Sequence, residues 1–219
     1  MKVSLVSYTQ PVIEGITTPD DLITYVARVS NPANQLNTGT GSGLIAYLVK
    51  NHHWSPLQMA DITVEIVTTR DIGRQILRHR SFEFQEFSQR YADPTKSMDF
   101  VTREARLQDS KNRQNSIEID DPELHSDWSD RQQRIADDAR EIYEWALGRG
   151  IAKEVARAVL PEGLTETCMY MKGSVRSWFH YCQLRMDKST QKEHREVATE
   201  CWKIVCGVVP SIIGSIKNE

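Results

Sequence analysis

The stretch RHRSFEFQEFSQRY, from Arg78 to Tyr91, gathers guanidinium, imidazole, carboxylate and hydroxyl groups into one short run. Arginine suits phosphate because its planar fork offers paired donors and its charge persists at any relevant pH. Gln75 and Arg78 stand three apart in the helical pattern RDIGRQILRHR, so an amide and a guanidinium would share one helix face. From Gln85 onward the spacing changes. Gln85, Phe87, Gln89 and Tyr91 alternate with Glu86, Ser88 and Arg90, which predicts an extended segment with the latter three on one polar side. An acceptor, a hydroxyl and a bidentate cation would converge there, and a carboxylate beside such cations can accept from a sugar hydroxyl or an imide nitrogen. An arbitrary RHR triplet is most simply a salt-bridge cluster at a helix end; the complete stretch is harder to dismiss that way. Ser88 has no histidine in a triad arrangement that would activate it, so it reads as a hydrogen-bonding group and not as a nucleophile.

The elements that position these groups follow from periodicity. Val3 and Leu5 alternate in a short first strand. TPDDLITYVARVSN predicts a helix capped by Thr18, with Leu22, Val26 and Val29 inward; SGLIAYLVKNHHW predicts a second, with Leu44, Leu48 and Val49 inward. ADITVEIVTT reads as a strand burying Ile62, Val64 and Ile66, and RDIGRQILRHR as a helix with Ile72, Ile76 and Leu77 apolar, so the basic triplet falls at a helix terminus. Residues 94–127 are polar and weakly periodic and predict an excursion or loop. A long helix follows with Trp128, Ile135, Ala139, Ile142 and Ala146 on one side, ending at Gly148 or Gly150, then a helix from Ala152 to Leu160 stopped by Pro161. TETCMYMKGS predicts a strand, VRSWFHYCQLR a helix, and TQKEHREVATECWKIVCGVV a last helix with Val197, Cys201, Ile204 and Val208 inward. The expected architecture is α+β: a single domain over 1–219 with a small mixed or antiparallel sheet and long helices.

Composition narrows the function classes. The formal net charge of the 219 residues is only -3, so no global field recruits nucleic acid or an anionic membrane, and phosphate recognition must be local. No run has the apolar length of a membrane span, and the first residues suit a strand better than a secretory leader. Cys168, Cys182, Cys201 and Cys206 show neither CxxC pairing nor zinc-type spacing with histidine, so reduced thiols in a cytoplasm, a host's cytoplasm for a viral chain, are expected.

Arg78, His79 and Arg80 are followed by the seven residues SFEFQEF, then Ser88, with Arg90 and Tyr91 completing the run. This resembles the RHR motif of the flavin-dependent thymidylate synthases. Three further segments resemble that family in the expected order: HHWSPLQM, which brings His53 and Ser55 to the flavin; ARAVLP, which makes Arg157 a nucleotide-phosphate ligand; and SVRSWFHYCQLRMDKSTQKEH, with Ser174, Arg176, His180 and Arg185 at matching positions. Gln85, Ser174 and His180 stand where asparagine is common in the family. Either His52 or His53 could be the histidine that faces the flavin.

The resemblance implies methylation of dUMP to dTMP, with 5,10-methylenetetrahydrofolate as carbon donor and FAD, reduced by NADPH, as hydride source, releasing tetrahydrofolate without enzyme-cysteine attack on the pyrimidine. It implies flavin contacts from Arg78, His79, Arg80 and Glu86, and dUMP contacts from Gln75, Arg78, Glu86, Ser88, Gln89, Arg90 and Arg157. Arg185 is the expected catalytic residue: a fixed positive charge beside the uracil stabilises the anion formed by ionising N3 and polarises the ring. A homotetramer with shared sites is implied; nucleic-acid, membrane and metal partners are not. Other readings have weaker support. Phe82, Phe84, Phe87 and Tyr91 could stack bases, but the chain lacks a broad basic stripe. A zinc hydrolase built on His52, His53 and His79 lacks HExxH or cysteine pairs. A noncatalytic relative that keeps FAD or nucleotide binding is a third reading.

Overall fold

The computed structural model describes residues 1–213 and 215–216. Four strands, β1 (Lys2–Tyr8), β2 (Asp61–Thr69), β6 (Glu166–Ser174) and β3 (Glu83–Glu86), form an antiparallel sheet in the spatial order β1-β2-β6-β3. The chain enters β6 about a hundred residues after β2, yet the two pair along their whole length, from Asp61 opposite Ser174 to Thr69 opposite Glu166. Their alternation sets the layering: Ile62, Val64 and Ile66 share a face with Met169 and Met171, all fully buried.

That face is covered by α7 (Val175–Arg185) and α8 (Lys192–Val208), with α1 (Pro19–Ala27) and α2 (Gly41–Lys50) closing one side of the same core. α3 (Arg70–Ile76) continues β2 directly and packs on α8 and β6. Trp178 of α7 is fully buried and satisfies its indole N–H on the Ile62 carbonyl at 3.0 Å, tying helix to sheet. α1 begins with a capping box between Thr18 and Asp21, the cap the sequence predicts.

The predicted strands and the helices 175–185 and 192–208 are present, and the α+β class stands. Several details differ. The segment 94–127 is not one loop: it holds the short α4 (Pro94–Ser97), a hairpin of β4 (Arg106–Gln108) and β5 (Ser116–Glu118), and the first turn of α5 (Pro122–Gly148), whose N-cap is Asp121. α5 is also rotated from expectation. Gln132, Ala136, Ala139, Tyr143 and Ala146 face inward, while Trp128, Ile135, Ile142 and Trp145 are half exposed on another side. The alanines allow close approach to α6 (Lys153–Ala156) and the 3-10 turn Arg157–Val159, into which the predicted 152–160 helix divides. In α1 the buried residues are Pro19, Ile23 and Thr24, whereas Val29 lies beyond the helix end and is 68% exposed. In α2, Ile45 joins Leu48 and Val49 inward, with Leu44 only partly covered; in α8, Val205 takes the innermost place beside Val197 and Cys201. The four cysteines are free thiols. No helix among the described residues is long and apolar enough to cross a membrane.

Two glycines of the core side are positions of close approach. A Cβ on Gly73 would lie 2.9 Å from the Met169 Cε, and one on Gly173 would lie 2.4 Å from the Phe82 ring. A methionine tip can swing aside; a buried aromatic ring wedged against Trp178 cannot. Gly173→Ala is therefore expected to destabilise the fold by about 1–3 kcal/mol, read as a lower urea midpoint at unchanged slope, with Gly73→Ala costing less. Equal midpoints for both variants and the parent would contradict this packing.

Candidate active site

The C-terminal end of α3 meets the C-terminal end of α7. Arg185, the last residue of α7, donates from Nε to His79 Nε2 at 2.9 Å, joining residues 106 apart in sequence. His79 lies edge-on to the buried Tyr181, ring centroids 4.9 Å apart. Burial, then the positive charges of Arg185 and Arg78, pull the His79 pKa down to about 4. The imidazole is thus neutral at neutral pH, as an acceptor from a guanidinium must be, and its own proton sits on Nδ1. With Nε fixed, the terminal nitrogens of Arg185 keep a defined direction for an anionic or carbonyl oxygen.

Behind this pair lies a polar chain. Gln75 Nε2 donates to Gln191 Oε1 at 2.8 Å, and the Gln75 Oε1 lies 3.2 Å from His194 Nδ1. His194 Nε2 is 3.2 Å from the Tyr181 hydroxyl. His194 is fully buried, and burial, followed by the charge of Arg185, takes its pKa to about 3.

Arg78 is not on a helix face with Gln75, as the spacing predicts; α3 ends at Ile76 and Arg78 occupies the following turn, exposed like Arg80. The extended segment is also shorter than predicted. β3 ends at Glu86; the Phe87 N–H still donates to the Cys168 carbonyl at 2.8 Å, and Ser88 to Tyr91 leave the sheet into a turn in which the Tyr91 and Ala92 N–H groups both donate to the Ser88 carbonyl. Glu86 consequently parts from Ser88 and Arg90. It points to the core side of the sheet, where it accepts from Thr167 Oγ1 at 2.9 Å and Arg74 Nη1 at 3.4 Å and pairs with Arg70 at 3.7 Å. Arg70 in turn binds Glu162 at 3.1 Å. Gly73 lies against the Glu86 carboxylate, whose Oε1 is 3.8 Å from where a Cβ would stand, an ordinary contact.

Arg90 pairs with Glu154 at 3.4 Å, which carries it to α6 and the turn that begins with Arg157. Lys153 donates to the Tyr91 carbonyl at 3.0 Å and fastens the same two segments. Gln89 is buried, with its Nε2 unpartnered, an orphaned donor within the motif. Among the described residues no hydrogen bond or ion pair joins the group of Gln75, His79 and Arg185 to that of Ser88, Arg90 and Arg157.

A third patch lies toward the other end of α7. Trp54 meets the His180 ring edge-on, centroids 4.5 Å apart, and lies 5.8 Å from His52. Burial and the neighbouring Arg176 charge lower the His180 pKa, and the i, i+4 spacing puts both on one helix face as predicted. Of the two adjacent histidines, His52, with a left-handed φ of 59°, is the one beside Trp54 and His180; the exposed His53 turns its ring to Tyr47. Ser55 opens the 3-10 turn Ser55–Gln58 and is exposed. The Ser174 hydroxyl caps α7, accepting from the Ser177 N–H at 3.3 Å. Cavities of about 300 Å³ lie elsewhere, one under residues 101–106 and α8, another beside α1 around Val29 and Met59.

Sequence reasoning missed Tyr181, Gln191 and His194 at this site, and Arg74 and Thr167 around Glu86. His194 had a signal: it begins the stripe His194, Val197, Cys201 and Val205 on the buried side of α8.

A family model described as thymidylate synthase complementing protein matches residues 5–211. A "Probable flavin-dependent thymidylate synthase" of Paramecium bursaria Chlorella virus 1 is 46% identical over 212 residues, covering 97% of both chains. A flavin-dependent thymidylate synthase of Synechocystis is 46% identical over 220 residues, covering 99% of this chain and 100% of the relative. The chain belongs to the flavin-dependent thymidylate synthases. Among solved structures, the UMP/dUMP methylase PolB of Streptomyces cacaoi bound with 5-Br dUMP is similar with a TM-score of 0.80, at 25% identity, over 98% of this chain and 93% of that one.

As a member of this family the protein is an FAD-dependent enzyme that converts dUMP to dTMP. Its exposed donor set fits the cofactor. Arg78, Arg80 and Arg176 carry no ion pair among the described residues, which leaves guanidinium groups for a pyrophosphate, and Trp54 with His180 offers an aromatic surface beside Arg176.

Two neutral histidines, His194 fully buried and His79 half-buried, impose a pH dependence on stability. Both have folded-state pKa values, about 4 and about 3, below the 6.5 of the unfolded chain. As pH falls below 6.5 the unfolded chain binds protons first, so their contribution is complete above pH 6.5 and is lost progressively toward pH 3 to 4. The urea midpoint is expected to fall between pH 7 and 4.5, with His194 supplying most of the slope because solvent screens the half-buried His79. His194→Asn should flatten it; an unchanged midpoint over that range in the parent would mean the imidazoles are charged when folded.

Proposed function

We propose that this thymidylate synthase takes its carbon from 5,10-methylenetetrahydrofolate and its reducing equivalents from NADPH, releasing tetrahydrofolate, with Arg185 as the catalytic residue. The observation that carries the reading is the contact of the motif histidine with the arginine that ends α7, His79 Nε2 to Arg185 Nε at 2.9 Å. FAD, when bound, supplies the redox chemistry, held by Arg78, Arg80, Arg176 and the patch of His180, His52 or His53 and Ser55, with His79 and Glu86 against it and Ser174 at the α7 N-terminus. Arg176 and Arg185 stand nine residues apart on one helix, about 13 Å along its axis, so α7 can span from the cofactor's phosphates to the reacting base.

The protein's own part is electrostatic. Arg185 presents its terminal N–H groups to the uracil ring, stabilising charge that develops on ionisation of N3, and the neutral His79 keeps that guanidinium from turning away. Gln75 supplies an amide to the same nucleotide. Arg90 and Arg157, brought to adjacent segments by the Arg90–Glu154 pair, hold its phosphate, with Ser88 and Gln89 donating beside them.

The two nucleotide groups share no hydrogen bond or ion pair among the described residues, and we infer that they meet between subunits of a homotetramer. The apolar stripe of Trp128, Ile135, Ile142 and Trp145, between 43% and 57% exposed, supports assembly. In this reading residues 1–219 form one cytoplasmic domain that acts on small molecules and not on nucleic acid or membranes.

The purified protein is expected to be yellow, and light scattering after gel filtration should give the mass of four chains. An anaerobic assay with dUMP, methylenetetrahydrofolate, FAD and NADPH should yield dTMP with tetrahydrofolate; dihydrofolate as coproduct would overturn the proposed chemistry. Arg185→Ala should lower dTMP formation roughly a hundredfold to a thousandfold while the flavin stays bound. Loss of the flavin from that variant would move Arg185 into cofactor binding. Arg90→Ala and Arg157→Ala should chiefly raise the KM for dUMP, and an unchanged KM would remove them from the phosphate site.

A further inference from the structure

The side chains behind Gln75 form a hydrogen-bonded chain whose direction is fixed from one end. Glu193 is an acceptor: Arg106 Nη2 binds its Oε1 at 2.5 Å, and its pKa is lowered against the effect of burial by that partner and its other hydrogen bonds. Gln191 must therefore turn its Nε2 to the Glu193 Oε2, at 2.9 Å, leaving Oε1 toward Gln75. Gln75 must then donate its Nε2 to Gln191, which leaves its Oε1 toward His194 Nδ1 at 3.2 Å. Only a protonated Nδ1 satisfies that oxygen, so a neutral His194 has a bare Nε2, and the Tyr181 hydroxyl, 3.2 Å away, donates to it. Each group has one compatible orientation, propagated from a carboxylate held by the β4–β5 hairpin to the floor of the site.

We propose that His194, as its neutral Nδ1–H tautomer, is a positioning residue that locks the Gln75 amide in the orientation Gln191 dictates by holding its Oε1, so that the amide's second N–H is presented in one direction to an acceptor oxygen of the nucleotide. This rests on the reading of Gln75 as a nucleotide contact. Without the imidazole donor the amide would be held at one end only, by the Gln191 bond, and could swing its second N–H off line. His194 is fully buried, and its Nδ1 side is taken by Gln75, so it acts on the nucleotide through that amide. Its low proton affinity keeps it from becoming a donor at both nitrogens, which would leave the Tyr181 hydroxyl without its acceptor.

The test compares His194→Leu, His194→Asn, Gln75→Ala and the double variant Gln75→Ala/His194→Leu, all as FAD-loaded enzyme, by kcat and KM for dUMP. His194→Leu removes the donor and should raise KM about fivefold to tenfold, the range for one lost hydrogen bond, at little change in kcat or flavin content. His194→Asn keeps an N–H near the Nδ1 position and should restore KM to within about twofold. In the Gln75→Ala background His194→Leu should add nothing to KM, because its effect passes through the missing amide. A purely structural role would instead lower the melting temperature and the active fraction of both His194 variants without separating their KM values. If Gln75→Ala raises KM but His194→Leu does not, the positioning role is overturned; if Gln75→Ala itself leaves KM unchanged, the nucleotide reading of Gln75 fails first. Nitrogen-15 shifts of the imidazoles in the unmutated FAD-loaded enzyme give an answer even where a variant does not fold: an Nε2–H tautomer or a charged ring at His194 overturns the proposal.

Discussion

A guanidinium can donate to an imidazole only while that imidazole is neutral, and the arrangement around Arg185 depends on this condition at His79. Histidine beside two arginines in water would lose its proton affinity only slightly; here burial against Tyr181 adds the larger effect and takes the ring to about 4. The cost of burying a ring with an unfilled acceptor is offset by the Arg185 Nε bond. Charge and burial thus act together, and neither residue would hold the other's orientation alone. A charged His79 would repel Arg185 from the position in which its terminal donors can serve a developing oxyanion.

The fold brings these groups together through few elements. β6 runs straight into α7, so pairing of β6 with β2 fixes where α7 starts, and the length of α7 fixes where Arg185 ends. α3 follows β2 with no intervening loop, so the same pairing fixes Gln75 and, just past the helix, His79. Gly73 lets α3 lie close to Met169 and Thr167, and this closeness gives Glu86 its place between Arg70, Arg74 and Thr167. The central pair of strands therefore positions both halves of the Arg185–His79 contact, while the tip of the sheet at β3 positions Glu86.

Much of this was legible in the sequence because strand alternation and helix periodicity report burial directly. Ile62, Val64 and Ile66 alternate inward as written, and 175–185 is helical to the residue. The errors have physical causes. On α5 the apolar count favoured the side with Trp128, Ile135 and Ile142, but the helix buries its alanines and Tyr143, because close helix contact selects small residues over hydrophobic ones when a large apolar face is left for something else. Alternation through Gln85–Tyr91 overran β3 because periodicity of two persists across a turn when its residues happen to alternate. The 94–127 segment was obscure since its hairpin is held by ion pairs to α8, such as Lys192 with Glu118 at 2.6 Å, that no local pattern can show. The Gln75–His194 contact links residues 119 apart, and only the stripe of α8 hinted that His194 faces inward.

A chain with 27 basic and 30 acidic residues still provides a cationic site, and the partition of its arginines explains how. Arg70, Arg74, Arg103 and Arg106 are matched to Glu86, Glu162, Asp71, Glu104 and Glu193 in ion pairs between elements. Their charges are cancelled at contact distance, so they hold segments together and contribute little field beyond. Arg78, Arg80, Arg157 and Arg176 carry no ion pair among the described residues. The field of an uncompensated guanidinium on a net acidic protein is screened within about 8 Å at physiological ionic strength, enough to seat a phosphate already delivered by shape and too short to collect polyanions from solution. Separating structural from uncompensated arginines is how one residue type serves both folding and recognition here, and it accounts for a basic motif in an otherwise mildly acidic sequence.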